Sequence, residues 1–530
     1  MMLSQLLRPY LSSDAFGSGA NVNGLNLDTH IHGLVTDNRD VKTGDCFIAL
    51  AGITHHGKEF ITDAVSRGVV AVLVDQSDLD GVLNQQGTVS DKTSNETSYK
   101  TSVPIIGIEN LETQVNHIIL DFYRLSSSVL DLKLLAVTGT NGKSSITRFA
   151  AQMSHGLNQS TGLMGTLGFG VWPNVVESKN TTPELAVLLR QFALMQEQGA
   201  QQVMMEVSSH GIAQKRIEGL SFNSAVFANL SQDHLDFHND MEEYFSIKRS
   251  LFLSPNLQHA IINADDEYGQ RLLADEAIKA QKISYGFSPE ADVRVIDWNT
   301  HGSSISASIT TPWGDSSFTI NMVGDFNLAN VLAAISLLVL NSEYSFSDII
   351  DSIQHITSAP GRMQSYSKPD SAAVVVDFAH TPAALENVLT ALRKGQRKGQ
   401  SKTLSVVFGC GGNRDADKRA KMARIAQLLA DRVVFTADNP RTESLDAIIN
   451  QMKEGLDFSD STSIVIETDR TQAIENELSI LGGNDLLLIA GKGHENYQDI
   501  AGEKISYSDE AVLIVMGYQN VTHSIGEKNL

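Results

Sequence analysis

Short apolar runs ending in polar or glycine-rich turns recur along most of the chain, separated by segments with helical periodicity. In the middle of the sequence LKLLAVTG, QQVMMEVS, NSAVFANL and HAIINAD each read as a buried strand, because an apolar run of strand length is bounded by Gly, Asn or Asp. Further on, SAAVVVDFAH, TLSVVFGCGG, DRVVFTADNP, SIVIETD and DLLLIAGKG repeat the pattern. Strands alternating with helices imply βαβ units, so the expected class is α/β with largely parallel sheets. Ligands of such sheets bind at the carboxyl ends of the strands, where these polar turns lie. Val331 to Leu340 is the longest strongly apolar run; it fits a buried helix and falls short of the roughly 18 residues of a membrane span.

The pattern divides the chain into three regions. Residues 1–110 close on the strand-like VPIIGIEN, residues 111–357 hold the first set of βα units, and residues 358–530 hold the second. Three domains suit a chain of 530 residues, since one core stops growing at roughly 250–300. Gln85 to Ser102 is Ser/Thr-rich, almost free of apolar residues, and reads as a mobile loop that includes the sequon Asn95-Glu96-Thr97. No repeat of solenoid period is visible.

Composition narrows the function. The formal charge of −22 and the lack of a Lys/Arg stripe exclude a nucleic-acid binder, which needs a basic face. The one basic cluster, Arg393 to Lys402, reads as a solvated loop through its Gly and Gln content. Two cysteines, Cys46 and Cys410, make neither a disulfide framework nor a zinc site. With no basic flank ahead of an apolar run, and Pro9 interrupting the first one, no signal peptide is expected; a cytoplasmic location without membrane insertion follows.

The segment LKLLAVTGTNGKSSITRFA is the most informative. A strand runs into Gly139-Thr140-Asn141-Gly142-Lys143-Ser144-Ser145, and a helix starts near Lys143. Glycines let backbone N–H groups approach phosphate oxygens, and the helix N-terminus adds a positive dipole end. Lys143 would reach the β/γ-phosphates, and Ser144 would offer a hydroxyl to Mg²⁺. The general P-loop carries a further glycine upstream, where this chain has Val137 and Thr138, so the loop here is tighter.

GTNGKS, then NTTP (Asn180 to Pro183), MEVSSHG ending at Gly211, NLSQDHLDFH (Asn229 to His238), GDFNLAN, PGRM, DFAHTP, FGCGGNRD, DNPR and GKGHENYQ follow in an order that resembles the Mur ligases, over about residues 30 to 510. Within that family the resemblance is to the diaminopimelate-adding type. It implies a UDP-binding N-terminal domain, a central P-loop-type domain with a mostly parallel sheet, and a Rossmann-like C-terminal domain. It also implies an ATP-dependent amide synthesis on a UDP-linked muramoyl dipeptide in peptidoglycan synthesis, by an enzyme that is commonly a monomer. Chemically, phosphorylating a carboxylate gathers several negative charges, so such a site needs cations more than general bases.

The resemblance assigns residues one by one. Lys143, Glu206, His234 and Lys248 match the catalytic set; Ser144, Glu206, His234 and Lys248 match the Mg²⁺ ligands, with Lys248 carbamylated by CO₂. Taken singly, Glu206 would be a solvated strand-end charge, His234 a capping side chain and Lys248 a surface lysine. Asn327, Asn330, Arg362 and Asp377 match ATP contacts, although the two asparagines also read as caps of the helix that follows. Thr36, Asn38 (commonly Ser in the family), Ile53, Thr54 and His55 match the uridine-diphosphate end of the sugar-peptide site. Asn180, Thr181, Thr182, Ser208, Gln214 and Arg216 match its sugar-peptide end. Arg414, Asp438, Asn439, Pro440, Arg441, Gly491 and Glu495 match a diaminopimelate pocket, in which an arginine fork would grip the distal carboxylate and repel lysine's lone ammonium.

Folylpolyglutamate synthetase and other Mur ligases share the ATP motifs but lack DNPR and the MEVSSHG context. A catalytically dead nucleotide-gated scaffold would have no need of Lys143, Glu206, His234 and Lys248 together. Glutamine-driven amidation lacks a convincing nucleophile, since Cys410 sits inside a Gly-rich turn where it packs.

Overall fold

The structure is a computed structural model that describes residues 1–11, 21–22, 25–52, 55–87, 103–126, 129–178, 180–301, 304–322, 324–395 and 403–521. The sequon, Ile53, Thr54 and most of the Ser/Thr-rich and basic stretches lie outside these residues. The ends of those stretches are helical: one helix runs over Leu79–Gly87, and another over Pro382–Gly395 carries Arg393 and Lys394. Arg393 is not a free loop cation, because it pairs with Asp431 at 2.8 Å.

The chain forms two compact units. The first comprises residues 1–133, 182–201 and 210–221. Its sheet is made of β1 (Gly33–Val35), β2 (Asp45–Ile48), β3 (Ala71–Asp75) and β4 (Ile105–Ile108), in that order and all parallel. These strands are short and almost wholly apolar because both faces are covered, as in all-parallel sheets. Arg190 reaches the buried Asp45 at 2.8 Å in this unit.

The second unit holds two larger sheets among the described residues. One is built from β5 (Lys133–Thr138), β6 (Thr161–Gly165), β7 (Gly168–Val171), β8 (Gln202–Glu206), β9 (Ser224–Phe227), β10 (His259–Asn263), β11 (Gln281–Gly286), β12 (Val293–His301), β13 (Ser304–Thr311) and β14 (Gly314–Ile320). Their spatial order is β14-β13-β12-β11-β10-β9-β5-β8-β6-β7. The β6–β8 pair and the pairs from β5 through β9, β10 and β11 to β12 are parallel, whereas β7 and the β12–β14 meander are antiparallel. The chain leaves β5 for β6, returns to β8 and then crosses β5 to reach β9. The turn after β5 therefore lies at a topological switch point, where a crevice opens in α/β sheets.

Over this sheet lie α1 (Lys143–Gly156) and α2 (Phe326–Asn341), which pack on each other. In α2 Leu328, Val331, Leu332, Ile335, Leu337 and Leu338 are fully buried. At roughly 1.5–3 kcal/mol each, their burial is a main anchor of this core. The helix begins at Phe326 with Asp325 as its N-cap, so Asn327 and Asn330 are inside it and do not cap it.

The last sheet orders β15 (Gln364–Ser367), β16 (Ala373–Asp377), β17 (Leu404–Phe408), β18 (Arg432–Phe435), β19 (Ser463–Ile466), β20 (Leu486–Ala490) and β21 (Gln519–Asn520) as β19-β18-β17-β20-β16-β15-β21. Strands β16 to β20 are parallel, in keeping with the expected α/β class. The turns FGCGGNRD, ADNPR and GKGHE thus leave the same edge of neighbouring strands.

Candidate active site

The loop after β5 is shaped by two glycines. Gly139 has φ +150° and Gly142 +86°, which disfavour any side chain. A methyl on Gly142 would also meet the Asn330 amide oxygen at 2.8 Å. The loop is tied down by Asn229: its carbonyl accepts from the Thr140 N–H at 2.9 Å and its side-chain oxygen from the Asn141 N–H at 2.9 Å. The Lys143 ammonium donates to the carbonyls of Gly139 and Thr140, both at 2.8 Å, so it lies curled over its own loop. Burial pulls its pKa below the usual lysine range against the opposing charge of Glu206, and Arg362 adds to the lowering.

Glu206 ends β8 and is 2% exposed, so it is not a solvated strand-end charge. Its carboxylate accepts from the Ser144 hydroxyl at 3.0 Å and from the Thr166 N–H at 2.9 Å. Thr166 in turn meets the Thr181 hydroxyl at 2.9 Å. The Ser144–Glu206 pair is a set of hard oxygen donors, which suits Mg²⁺. Among the described residues no group of three or more His, Cys, Asp or Glu is arranged to hold a metal. A magnesium ion here would keep several substrate and water oxygens in its shell, as this ion commonly does.

Lys248 is 1% exposed and far from the surface role its helical setting suggests. It projects from α-helical Met241–Phe252, with its amine 3.1 Å from the Gly139 carbonyl and 3.3 Å from the Thr138 hydroxyl. Burial, with the charge of Lys143 second, pushes its pKa well below the usual lysine range. Tyr244 links the cluster. Its hydroxyl is 3.2 Å from Thr140 Oγ1, the Lys248 amine stands 4.9 Å from its ring, and the His234 ring lies edge-on at 6.3 Å.

Asp233, whose role the sequence leaves open, is a buried hub. Its carboxylate faces Lys418 at 3.2 Å, His234 at 3.4 Å and His380 at 3.6 Å. Burial opposes its charge, but His380, Lys418 and His234 outweigh burial and hold its pKa well below the usual carboxylate range. His234 itself has φ +56°, a backbone conformation rare for a residue with a side chain. Lys418 and His380 belong to the third region, so the loop after β9 is gripped from the last sheet. Lys418 was not legible as a site residue, because DADKRAKMAR reads as an exposed helix turn.

Beside the loop lies a cavity of about 410 Å³. Of the candidate ATP residues, Asn141, Gly142, Ser145, Asn327, Asn330, Arg362 and Asp377 line it; Gly139, Thr140, Lys143 and Ser144 form the loop next to it. Asp377 accepts from the N–H groups of Met363 at 2.7 Å and Ala379 at 2.8 Å. Burial raises its pKa against these bonds and the charge of Arg362, whose guanidinium stacks 4.5 Å over the Phe378 ring.

The turns of the last sheet form a second cluster. A methyl at Gly411 would sit 3.0 Å from an Arg441 nitrogen and 3.7 Å from Arg414, so both arginines flank one glycine. Arg441 donates to the Gly412 carbonyl at 2.8 Å and has φ +53°. Arg414 faces Asp236 at 3.4 Å. Asn439 donates to Glu495 at 2.8 Å and accepts from Lys492 at 3.0 Å; the Pro440 carbonyl packs against Gly412, and Gly491 has φ +107° beside Asp438. Sequence reasoning missed Lys492, and also Arg470, which is fully buried against Asp509 at 2.7 Å.

The candidate sugar-peptide residues are split between the units. In the first, Thr36 donates to Glu184 at 2.6 Å, Asn38 to Asp63 at 2.7 Å, and Arg216 to the Thr182 carbonyl at 2.8 Å. His55 is exposed near Glu59, and the Gln214 N–H bonds the His210 carbonyl. Asn180, Thr181 and Ser208 belong to the second unit.

Family descriptions match the chain in three blocks. They are the Mur ligase family catalytic domain over residues 30–123, the Mur ligase middle domain over 137–338, and the Mur ligase glutamate ligase domain over 361–493. The chain is 37% identical to the UDP-N-acetylmuramoyl-L-alanyl-D-glutamate–2,6-diaminopimelate ligase of Coxiella burnetii, over 92% of this chain and 95% of that protein. It is 41% identical to the protein of the same name from Neisseria meningitidis serogroup A, over 91% and 93%. A solved structure of a ligase with that name superposes with a TM-score of 0.62 at 29% identity, covering 97% of this chain and 98% of the other. MurF from Acinetobacter baumannii, at 16% identity and a TM-score of 0.65, shares the fold. The chain belongs to the Mur ligase family and is an amide-bond-forming ligase.

Proposed function

We propose that this ligase adds meso-2,6-diaminopimelate to UDP-N-acetylmuramoyl-L-alanyl-D-glutamate, with ATP converted to ADP and phosphate, in cytoplasmic peptidoglycan precursor synthesis. The observation that carries the reading is the cluster of Arg414 and Arg441 around Gly411, beside the buried Asp438 and Asn439. A cationic fork next to carboxylates suits a distal end that bears both a carboxylate and an ammonium. The names of the relatives support the same amino acid. Membrane insertion is not part of the reading; no helix among the described residues is long and apolar enough to cross a membrane.

On this reading residues 1–110 bind the uridine end, 111–357 bind ATP, and 358–530 bind the amino acid, in a monomer. ATP lies with its base toward Asn327 and Asn330 and its phosphates over Gly139 to Ser145. The γ-phosphoryl passes to the D-glutamyl carboxylate, giving an acyl phosphate. The diaminopimelate amine then attacks, and phosphate leaves. Lys143 and Arg362 draw charge from the transferring group, which is where preorganised cations act most strongly. Ser144 and Glu206 would hold one Mg²⁺ and His234 a second, with a CO₂-derived carbamate on Lys248 beside the metal, and the bound ions would neutralise phosphate charge. Burial of the Lys248 amine, which lowers its pKa well below the usual lysine range, supports carbamylation, because only a neutral amine adds to CO₂.

The test is to incubate the pure protein with the UDP-muramoyl dipeptide, ATP, Mg²⁺ and a panel of diamino acids, then weigh the product. Phosphate should appear only when dipeptide and amino acid are both present. A product formed equally well from lysine, or phosphate release without an amino acid, would overturn the assignment.

A further inference from the structure

The GKGHE turn contains a cation that the proposed amino-acid site does not account for. Lys492 is fully buried, and its ammonium touches three acceptors of the same cluster: Asn439 at 3.0 Å, Glu495 at 3.0 Å and Asp438 at 3.5 Å. One Asp438 carboxylate oxygen is buried without a hydrogen-bond partner, although it faces this ammonium. The Asn439 amide oxygen is saturated, because it also accepts from the Asp499 N–H at 2.9 Å, and the amide nitrogen donates to Glu495. Lys492 therefore sets the positions of Asn439 and Glu495 as well as the charge around them.

The ionisable side chains of the DNPR and GKGHE turns are Asp438, Arg441, Lys492, Glu495 and His494. Burial, with Arg362 second, lowers the pKa of His494 to about 4, so it is neutral near pH 7. Two acids and two bases remain, with no net charge, and Arg414 beside them faces Asp236 at 3.4 Å. The neighbouring Arg470 is neutralised by Asp509. The distal end of diaminopimelate is also net neutral, whereas that of lysine carries a lone positive charge.

Resting on the activity proposed above, we infer that Lys492 is a specificity-determining positioning residue. It cancels one of the two carboxylates, so that the pocket prefers a zwitterionic distal end over a lone ammonium. Without it the two carboxylates would be opposed by Arg441 alone, and the turns would shift by one unit of negative charge toward accepting lysine.

The experiment measures kcat/KM for meso-diaminopimelate and for L-lysine with the full chain, the UDP-muramoyl dipeptide and saturating ATP. Lys492→Met should lower the ratio of the two about tenfold or more, the equivalent of about 1.4 kcal/mol. Adding Asp438→Asn, which removes one negative charge, should return the ratio toward wild type. Asp438→Asn alone should raise it. A ratio that Lys492→Met leaves unchanged, or a fall that the double variant does not reverse, overturns the inference and leaves Lys492 a packing residue. If Lys492→Met does not fold, the Asp438→Asn arm decides: a raised ratio supports charge matching and any other result refutes it. A wild-type protein that fails to use diaminopimelate would instead defeat the proposed activity, which separates the two failures.

Discussion

Replacing Arg470 with methionine tests whether the amino-acid turns are held from beneath. The guanidinium bonds both Asp509 oxygens, at 2.7 and 2.8 Å, and the Ala490 carbonyl at 2.9 Å, and lies 3.5 Å from the Ala437 carbonyl. Those two carbonyls immediately precede Gly491 and Asp438. Breaking a buried pair from one side costs about 3–5 kcal/mol, because the remaining charge is left unpaired. The Tyr507 hydroxyl, at 2.9 Å from Asp509, persists and offsets about 1 kcal/mol. The net loss is then about 3 kcal/mol, which should lower the melting temperature of the third region, residues 358–530, by about 6–12 °C. Arg470→Met/Asp509→Leu replaces both charges with apolar groups and should recover most of that loss. In steady-state assays below the melting temperature, Arg470→Met should raise KM for the amino acid with little change in KM for ATP. If calorimetry shows Arg470→Met within 1 °C of wild type, or no better stability in the double variant, the buttress argument fails.

Three further outcomes follow from the same geometry. Arg441→Ala should lower kcat/KM for diaminopimelate about 100-fold, the worth of a charge-assisted pair of roughly 2–3 kcal/mol, with the ATP KM unchanged; equal loss of both in a kinetic assay would count against the pocket. Lys248→Ala should be inactive and partly recovered by added acetate, and a fully active variant would remove the carbamate from the account. His494 has a folded pKa of about 4, lowered mainly by burial, so between its unfolded value of about 6.5 and pH 4 the unfolded state binds more protons. Stability is therefore lost as pH falls through that window, by up to about 3 kcal/mol, and His494→Gln should flatten the slope in denaturant titrations at pH 4.5 and 7; identical slopes would refute the burial argument.

Some of the candidate site follows from local chemistry alone. The strand-turn-helix around Gly139 to Ser145 could be read directly, because positive φ at two glycines and a helix start are near-neighbour properties. The parallel strands could be read for a related reason: both faces are covered, so their residues are continuously apolar. The β12–β14 meander escaped notice, since SISASITT alternates burial with small polar residues whose periodicity carries little hydrophobic contrast. Asn327 and Asn330 could not be separated from caps, because a helix start shifted by one or two residues turns a cap into an inward-facing side chain.

What the sequence by itself determined was the α/β class, the order of the motifs and the chemistry of each turn, all of which depend on residues close together in the chain. Only the tertiary structure decided which charges are buried. Lys248, Lys418, Lys492 and Arg470 look like ordinary polar helix or turn residues in sequence, yet each lies inside the protein against acceptors that are often remote in sequence, up to 185 residues away for Lys418 and Asp233. Desolvation is a property of everything packed around a group, so no local pattern can announce it. The buried cations, and with them the grip on Asp233 and the charge balance beside Asp438, exist only once the sheets have packed.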